Sequence, residues 1–268
     1  MKTKQIIALM ACVISIISAC KKESYQSSAY PSDTASQNLT DVTNITNASS
    51  RAAGQQRRHI DPSDFVLGID NLYFPLVPGT SFYYVQVFQQ GSRAHVENIK
   101  IDVTNDTKII LDVTCEVVHD VVKEKGMLIE DTYDWFAQDK QGNVWYFGED
   151  TKKLVNGTWV TTGSWEGGVN GAVPGIIMFG HPEDHIGQTY RQEYLKDSAE
   201  DKAKVLSVNS TNTIQLGTYA NCVVTEETSR LDPGTIENKY YAPGIGNIST
   251  ILNVGGKEHE ELVKITHP

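Results

Sequence analysis

The sequence has few cysteines, no apolar run long enough to cross a bilayer, and no stretch with a sustained helical period. Each absence narrows the reading. Four cysteines in 268 residues are too few for a fold stapled by disulfides, so a packed core must hold the chain together. The longest apolar run, Ile6 to Ile17, is about twelve residues. That length suits the hydrophobic segment of a signal peptide and falls short of the ~20 residues a spanning helix needs. Lysine and arginine are outnumbered, 23 against 33 acidic residues, and form no basic stripe, which argues against a nucleic-acid partner. No phosphate-binding glycine loop, dinucleotide fingerprint or nucleophile elbow occurs, so no cofactor is expected.

What is present begins with an export signal. Lys2 and Lys4 precede the apolar run, which ends at Ile17-Ser18-Ala19-Cys20. Small residues before a thiol are what lipid transfer and cleavage require, and these four resemble the lipobox of bacterial lipoproteins. The resemblance implies a signal peptide at 1–19 and diacylation of Cys20. It also implies attachment to the membrane through the acyl chains, since two or three chains anchor stably. Lys21 and Lys22 stand where an aspartate would resemble an inner-membrane retention signal, so the outer membrane is expected, with the domain periplasmic or surface-exposed. Loss of Lys2 and Lys4 takes the formal charge from −10 to about −12, spread along the chain as on a soluble surface. Residues 20–60 are rich in Ser, Thr, Asn and Gln and read as a flexible tether with a reach of roughly 35 Å. Asp33-Thr34-Ala35 within it resembles a short acceptor motif for O-glycans.

From 61 to 268 the pattern is that of one antiparallel β domain. Its organising stretch runs from Asp131 to Gly163 and holds or adjoins all four tryptophans, Trp135, Trp145, Trp159 and Trp165. Asn156-Gly157 is a strong signal for a two-residue hairpin. A polar turn at 139–143 precedes it, giving strands near 131–138, 143–155 and 158–163. Further strands are expected at 81–89, 94–104, 108–123, 187–195, 202–208, 213–216, 221–229, 237–241, 248–254 and 258–266. Turns are expected at Asn105-Asp106 and Asn212. Short strands at this spacing mean an all-β fold: a half-open barrel, a curved sheet or a sandwich. Gln141-Gly142-Asn143-Val144-Trp145 resembles a propeller-blade turn but occurs once, and a propeller needs several copies.

Asn238-Lys239-Tyr240-Tyr241-Ala242-Pro243-Gly244-Ile245-Gly246 resembles a strand-turn found in secreted bacterial proteins with half-open curved sheets. Together with Phe74–Gly79, Tyr133-Asp134-Trp135, Val144–Glu149 and Tyr190–Glu193, it makes residues 73–254 similar to a family of uncharacterised exported bacterial proteins. The resemblance implies the curved sheet and transfers no activity.

Candidate sites are few. Gly163 to Gly187 shows no period and reads as a long loop that either caps a pocket or packs over an open end of the sheet. Trp165 and Glu166 near its start, with Trp159, are candidates for binding a ligand; the two indoles would serve as stacking platforms for a glycan. His181-Pro182-Glu183-Asp184-His185 brings metal-ligating and acid–base groups together, so His181 and His185 are metal candidates and His181, Glu183 and His185 a hydrolase candidate. Proline stands where a zinc-protease helix would carry its glutamate. Asp131, Asp134, Glu149 and Asp150 lie near the meander ends, where a Ca²⁺ ion could be held. Tyr190, Arg191 and Glu193 share a strand, with Arg191 and Glu193 on one face. Cys115 and Cys222 either pair as a disulfide or stay as two buried thiols. The reading is a lipid-anchored envelope domain that binds a ligand or partner (glycan, lipid or envelope protein) without catalysis. A glycan-binding module is the alternative, and an extracytoplasmic hydrolase a further one.

Overall fold

The β-branched and aromatic runs all become strands, and the only helical pieces among the described residues are single 3-10 turns at Pro62–Asp64 and Pro182–His185. The computed structural model describes residues 60–268; the expected signal peptide at 1–19, Cys20, the expected tether and the Asp33-Thr34-Ala35 motif lie outside them. The strands are β1 (Phe65–Val66), β2 (Ser81–Gln90), β3 (Arg93–Ile110), β4 (Val113–Glu124), β5 (Met127–Asp139), β6 (Val144–Val155), β7 (Thr158–Thr161) and β8 (Trp165–Glu166). They continue with β9 (Val173–Met178), β10 (Thr189–Arg191), β11 (Glu193–Tyr194), β12 (Asp201–Ile214), β13 (Gly217–Ser229), β14 (Ile236–Ala242), β15 (Gly246–Val254) and β16 (Glu258–Thr266).

They form one sheet in the order β10-β12-β13-β14-β15-β16-β2-β3-β4-β5-β6-β9-β11, with β1 against β5 and with β7 and β8 against β6. The two ends of this order, β10 and β11, are separated in the chain by Gln192 alone. The Gln192 N–H donates to the Asp201 carbonyl at 3.0 Å. The sheet therefore curls round until its edges meet, a nearly closed barrel of the kind that removes exposed edges.

Turn chemistry sets the registers. Asn156 and Gly157 both take positive φ, 51° and 79°, and Val155 pairs with Thr158 across them, as a type I′ turn requires. Asp139 builds the β5–β6 turn: its carboxylate accepts from the N–H groups of Gln141 and Asn143, each at 2.9 Å, and from the Trp145 indole at 2.8 Å. Three expectations are corrected. Asn105-Asp106 is no turn but lies within β3 beside a register shift between Val103 and Thr107; the chain reverses at Leu111-Asp112, both at positive φ. Asn212 likewise sits within β12 beside a register shift. The stretch 163–187 is no loop: it contains β8, β9 and a 3-10 turn, its β9 hidden from pattern reading because Pro174 and Gly175 interrupt the apolar run.

The interior divides along the barrel axis. At one end, the lead-in segment before β2 folds over the opening. There the Gly244 N–H donates to the Leu72 carbonyl at 2.7 Å, and the Asn71 amide donates to the carbonyls of Gly142 and Phe179 at 2.7 and 3.0 Å. Phe74 plugs the end, with ring centroids 5.4 Å from Phe136 and 6.4 Å from Tyr241. Toward the other end the inward positions turn polar. A cross-strand row of Lys239, Thr250, Glu260, Gln86 and Glu97 runs through five neighbouring strands, all of it buried.

Candidate functional site

Among the described residues buried acidic side chains outnumber buried lysines twelve to two; with Asp139 in the β5–β6 turn and Glu200 paired with Arg230, ten remain against two lysines, which cannot neutralise them if every carboxyl ionises. Register creates the densest part. Asp134 on β5 and Glu149 on β6 stand directly opposite each other, both fully buried, an arrangement in which two ionised groups repel. The Tyr146 hydroxyl donates to Asp134 Oδ1 at 2.8 Å, and the Thr151 hydroxyl donates to Glu149. Burial first, and the neighbouring carboxyl next for Glu149, hold both groups well above the usual carboxylate range. Glu193 on β11 continues the chain: burial, then Asp201 and Glu149, push it well up. Asp201 on β12 is pushed up to about 7, mainly by burial.

Two lysines serve this cluster. Lys239 reaches Glu227 Oε2 at 2.7 Å and Glu237 Oε1 at 3.5 Å, and Lys153 reaches Glu130 at 2.8 Å. Glu227 also accepts from Thr225 at 3.0 Å and from the Gln192 amide at 3.2 Å. Glu237 is still pushed up to about 7 by burial. Burial and mutual repulsion favour the protonated form of these carboxyls. The network does not enclose a sizeable ligand: the cavity lined by Gln192, Glu193, Asp201, Glu227 and Lys239 is about 20 Å³, room for one water. A second, about 30 Å³, lies against Phe74 and Phe136.

The residues singled out in the sequence do not converge. Trp165 is buried, 4 % exposed, edge-on to Tyr146 at 5.1 Å, and is therefore part of the core and no stacking platform. Trp159, 44 % exposed, stands alone on β7. Glu166 is held by Lys108 at 2.7 Å, whose ammonium lies 3.3 Å from the Trp135 ring centre. His181 is exposed and pairs with Glu183 at 3.3 Å. His185 instead stacks on Phe179 at 3.7 Å and bonds to Gln188 at 2.8 Å. The two imidazoles thus serve different partners, and no group of three or more His, Cys, Asp or Glu side chains that could hold a metal ion occurs among the described residues. Asp131 faces His119 at 2.7 Å and Asp150 faces Lys152 at 3.7 Å, while Asp134 and Glu149 are buried, so these four carboxylates share no ion site. Arg191 stacks over Tyr194 at 4.5 Å, and Glu193 turns into the barrel. Cys115 and Cys222 are both free and buried; they lie on β4 and β13, which are not neighbours in the sheet. The disulfide is not formed.

The open feature is at the plugged end. The lead-in segment, the β5–β6 turn and Gly180-His181 enclose a cleft of about 720 Å³. Along it Leu67, Leu72 and Val77 are 83, 56 and 51 % exposed. Sequence reasoning missed both this cleft and the carboxyl network. Glu193, Asp201, Glu227 and Glu237 sit in strands whose opposite face is also largely polar, so alternation does not tell inward from outward.

No protein-family model and no curated protein matches the chain. Among solved structures, it is similar to an exported protein with a YmcC-like fold from Bacteroides fragilis, at 11% identity and a TM-score of 0.43, covering 74% of this chain and 100% of that one. It is also similar to a lipoprotein from Parabacteroides distasonis, at 9% identity and a TM-score of 0.39, covering 73% of this chain and 99% of that one. At these values neither likeness bears on the role of this chain.

Proposed function

We propose that this chain is a lipid-anchored domain of the bacterial outer membrane, attached through Cys20, that acts by binding an envelope protein and not by catalysis. The observation that carries the binding role is the cleft at the plugged end, where Leu67, Leu72 and Val77 stay exposed around an open volume of about 720 Å³. Contiguous exposed apolar side chains of this kind mark contact surfaces. The interior cavities beside Glu193 and Phe74, about 20 and 30 Å³, are too small for a lipid or sugar, which supports recognition on the outside. Asp61, Asp64 and Asp70 are exposed along the same lead-in segment and oppose contact with anionic head groups, which favours a protein partner over the bilayer.

A photoreactive amino acid at Leu72, in cells expressing the full chain, tests this. One discrete cross-linked species is expected from that position and none from Val96, which is exposed on β3. The species should disappear in a Leu67→Ser, Val77→Ser background. Equal cross-linking from both positions, or none from Leu72, refutes the surface. Anchoring has its own readout: labelled palmitate should enter the wild-type chain and not Cys20→Ala.

A further inference from the structure

The barrel closes at a short joint. β11 pairs with β9 over two residues, the shortest pairing on the ring, and β10 with β12 over three, as many as β15 with β16 and β6 with β9, whereas β2 and β3 share ten. Buried carboxyls meet across this joint: Glu149 from β6, Glu193 from β11 and Asp201 from β12, with Asp134 behind Glu149 and Glu227 beyond Asp201. Asp134 Oδ2 and Glu149 Oε1 have no hydrogen-bond partner, and the Glu193 carboxyl interacts with Asp201 and the Trp165 indole. The other titratable and charged groups acting on the cluster are Tyr146 and Lys153 on β6, Glu130 on β5, and Lys239, which acts on Asp201. Polar neighbours are Thr151 at Glu149, Ser229 at Asp201 and Gln192 at Glu227. Lysine charge reaches Asp201 from Lys239 and Glu149 from Lys153, while the largest influences on Glu193 beyond burial are the Asp201 and Glu149 carboxyls.

We propose that this seam is a pH-gated joint: Glu149, Glu193 and Asp201 hold the ring closed while they share protons, and their ionisation parts β10 and β11 from β9 and β12. Gating is reversible and needs no reactant but the proton. Each carboxyl that loses its proton adds a negative charge beside another in a water-poor space, where repulsion is strongest. A short joint with like charges packed against it opens before the long strand pairs do. Opening exposes the small cavity lined by Glu193, Asp201, Glu227 and Lys239.

Amide hydrogen exchange of the full chain in detergent, corrected for intrinsic rates, tests the joint between pH 5 and pH 9. Peptides covering 173–178 and 186–205 are expected to lose protection at least tenfold above about pH 8, while those covering β2 and β3 keep theirs. In Glu193→Gln and in Asp201→Asn, measured singly, the loss should be smaller at the same pH. Equal loss across all strands, no pH dependence in the wild type, or an unchanged profile in both folded variants overturns the proposal. If one variant does not fold, the wild-type profile and the other variant still decide.

Discussion

Removing one buried carboxyl from the polar half of the barrel should make the protein more stable at neutral pH. Glu97 is the best choice, because it lies away from the seam and is 5 % exposed. It sits in the inward row opposite Gln86 and Glu124. Burial, with Glu124 and Glu130 adding repulsion, pushes its carboxyl from the ordinary 4.5 up to about 7. The folded state then keeps a proton that the unfolded chain has lost between about pH 4.5 and 7. The native form binds more protons in that window, so stability falls as pH rises through it and levels off above. A rise of this size corresponds to about 3 kcal/mol, a large part of the ~5–15 kcal/mol that holds a domain together. Glu97→Gln keeps the shape and removes the titration. Thermal melts followed by circular dichroism should show near equality with the wild type at pH 4.5. At pH 8 the variant should melt roughly 6–12 °C higher, taking 2–4 °C per kcal/mol for a domain of this size. A variant that melts lower at pH 8, or follows the same pH slope as the wild type, refutes the reasoning.

Three further outcomes are expected. Phe74→Ala removes the plug from the apolar end and should cost about 3–5 kcal/mol, read as a lowered urea midpoint with an unchanged slope. Lys153→Ala leaves Glu130 buried without its 2.8 Å partner and should destabilise by about 3–5 kcal/mol, whereas Lys153→Met with Glu130→Leu should recover most of that loss. Both thiols should resist a thiol-specific reagent in the native protein, since burial pushes Cys115 up to about 12 and Cys222 upward as well; both should react in denaturant without prior reduction, and a need for reductant would show a disulfide.

Local signals carried the sheet far. Asn156-Gly157 and the polar turn at 139–143 fixed the meander because their backbone demands are local and specific. The long strand at 108–123 was misplaced, because Leu111 at positive φ has no turn signature, and Asn105-Asp106, which has one, lies within a strand. β9 was missed for the converse reason: Pro174 and Gly175 punctuate a strand tolerated there because Gly175 lies against the backbone of Arg191 and Gln192. Strand order decided the site, and strand order is not local. Nothing in the neighbourhood of Glu193 shows that Asp201 and Glu149 will flank it, and nothing in that of Trp165 shows that Tyr146 will cover it.

The pairing of β16 with β2 has a consequence for how the protein is made. Residues 258–266 hydrogen-bond to residues 81–88, so the earliest long strand finds one of its two neighbours only after β3 to β15 have been synthesised. Until then β2 presents a bare edge, the condition under which β chains aggregate. Contacts this distant in sequence also form slowly. A product truncated before Glu258 would lack the strand between β15 and β2, and its barrel could not close. β16 is thus the element on which closure of the ring depends, and a copy without it keeps both β15 and β2 as open edges.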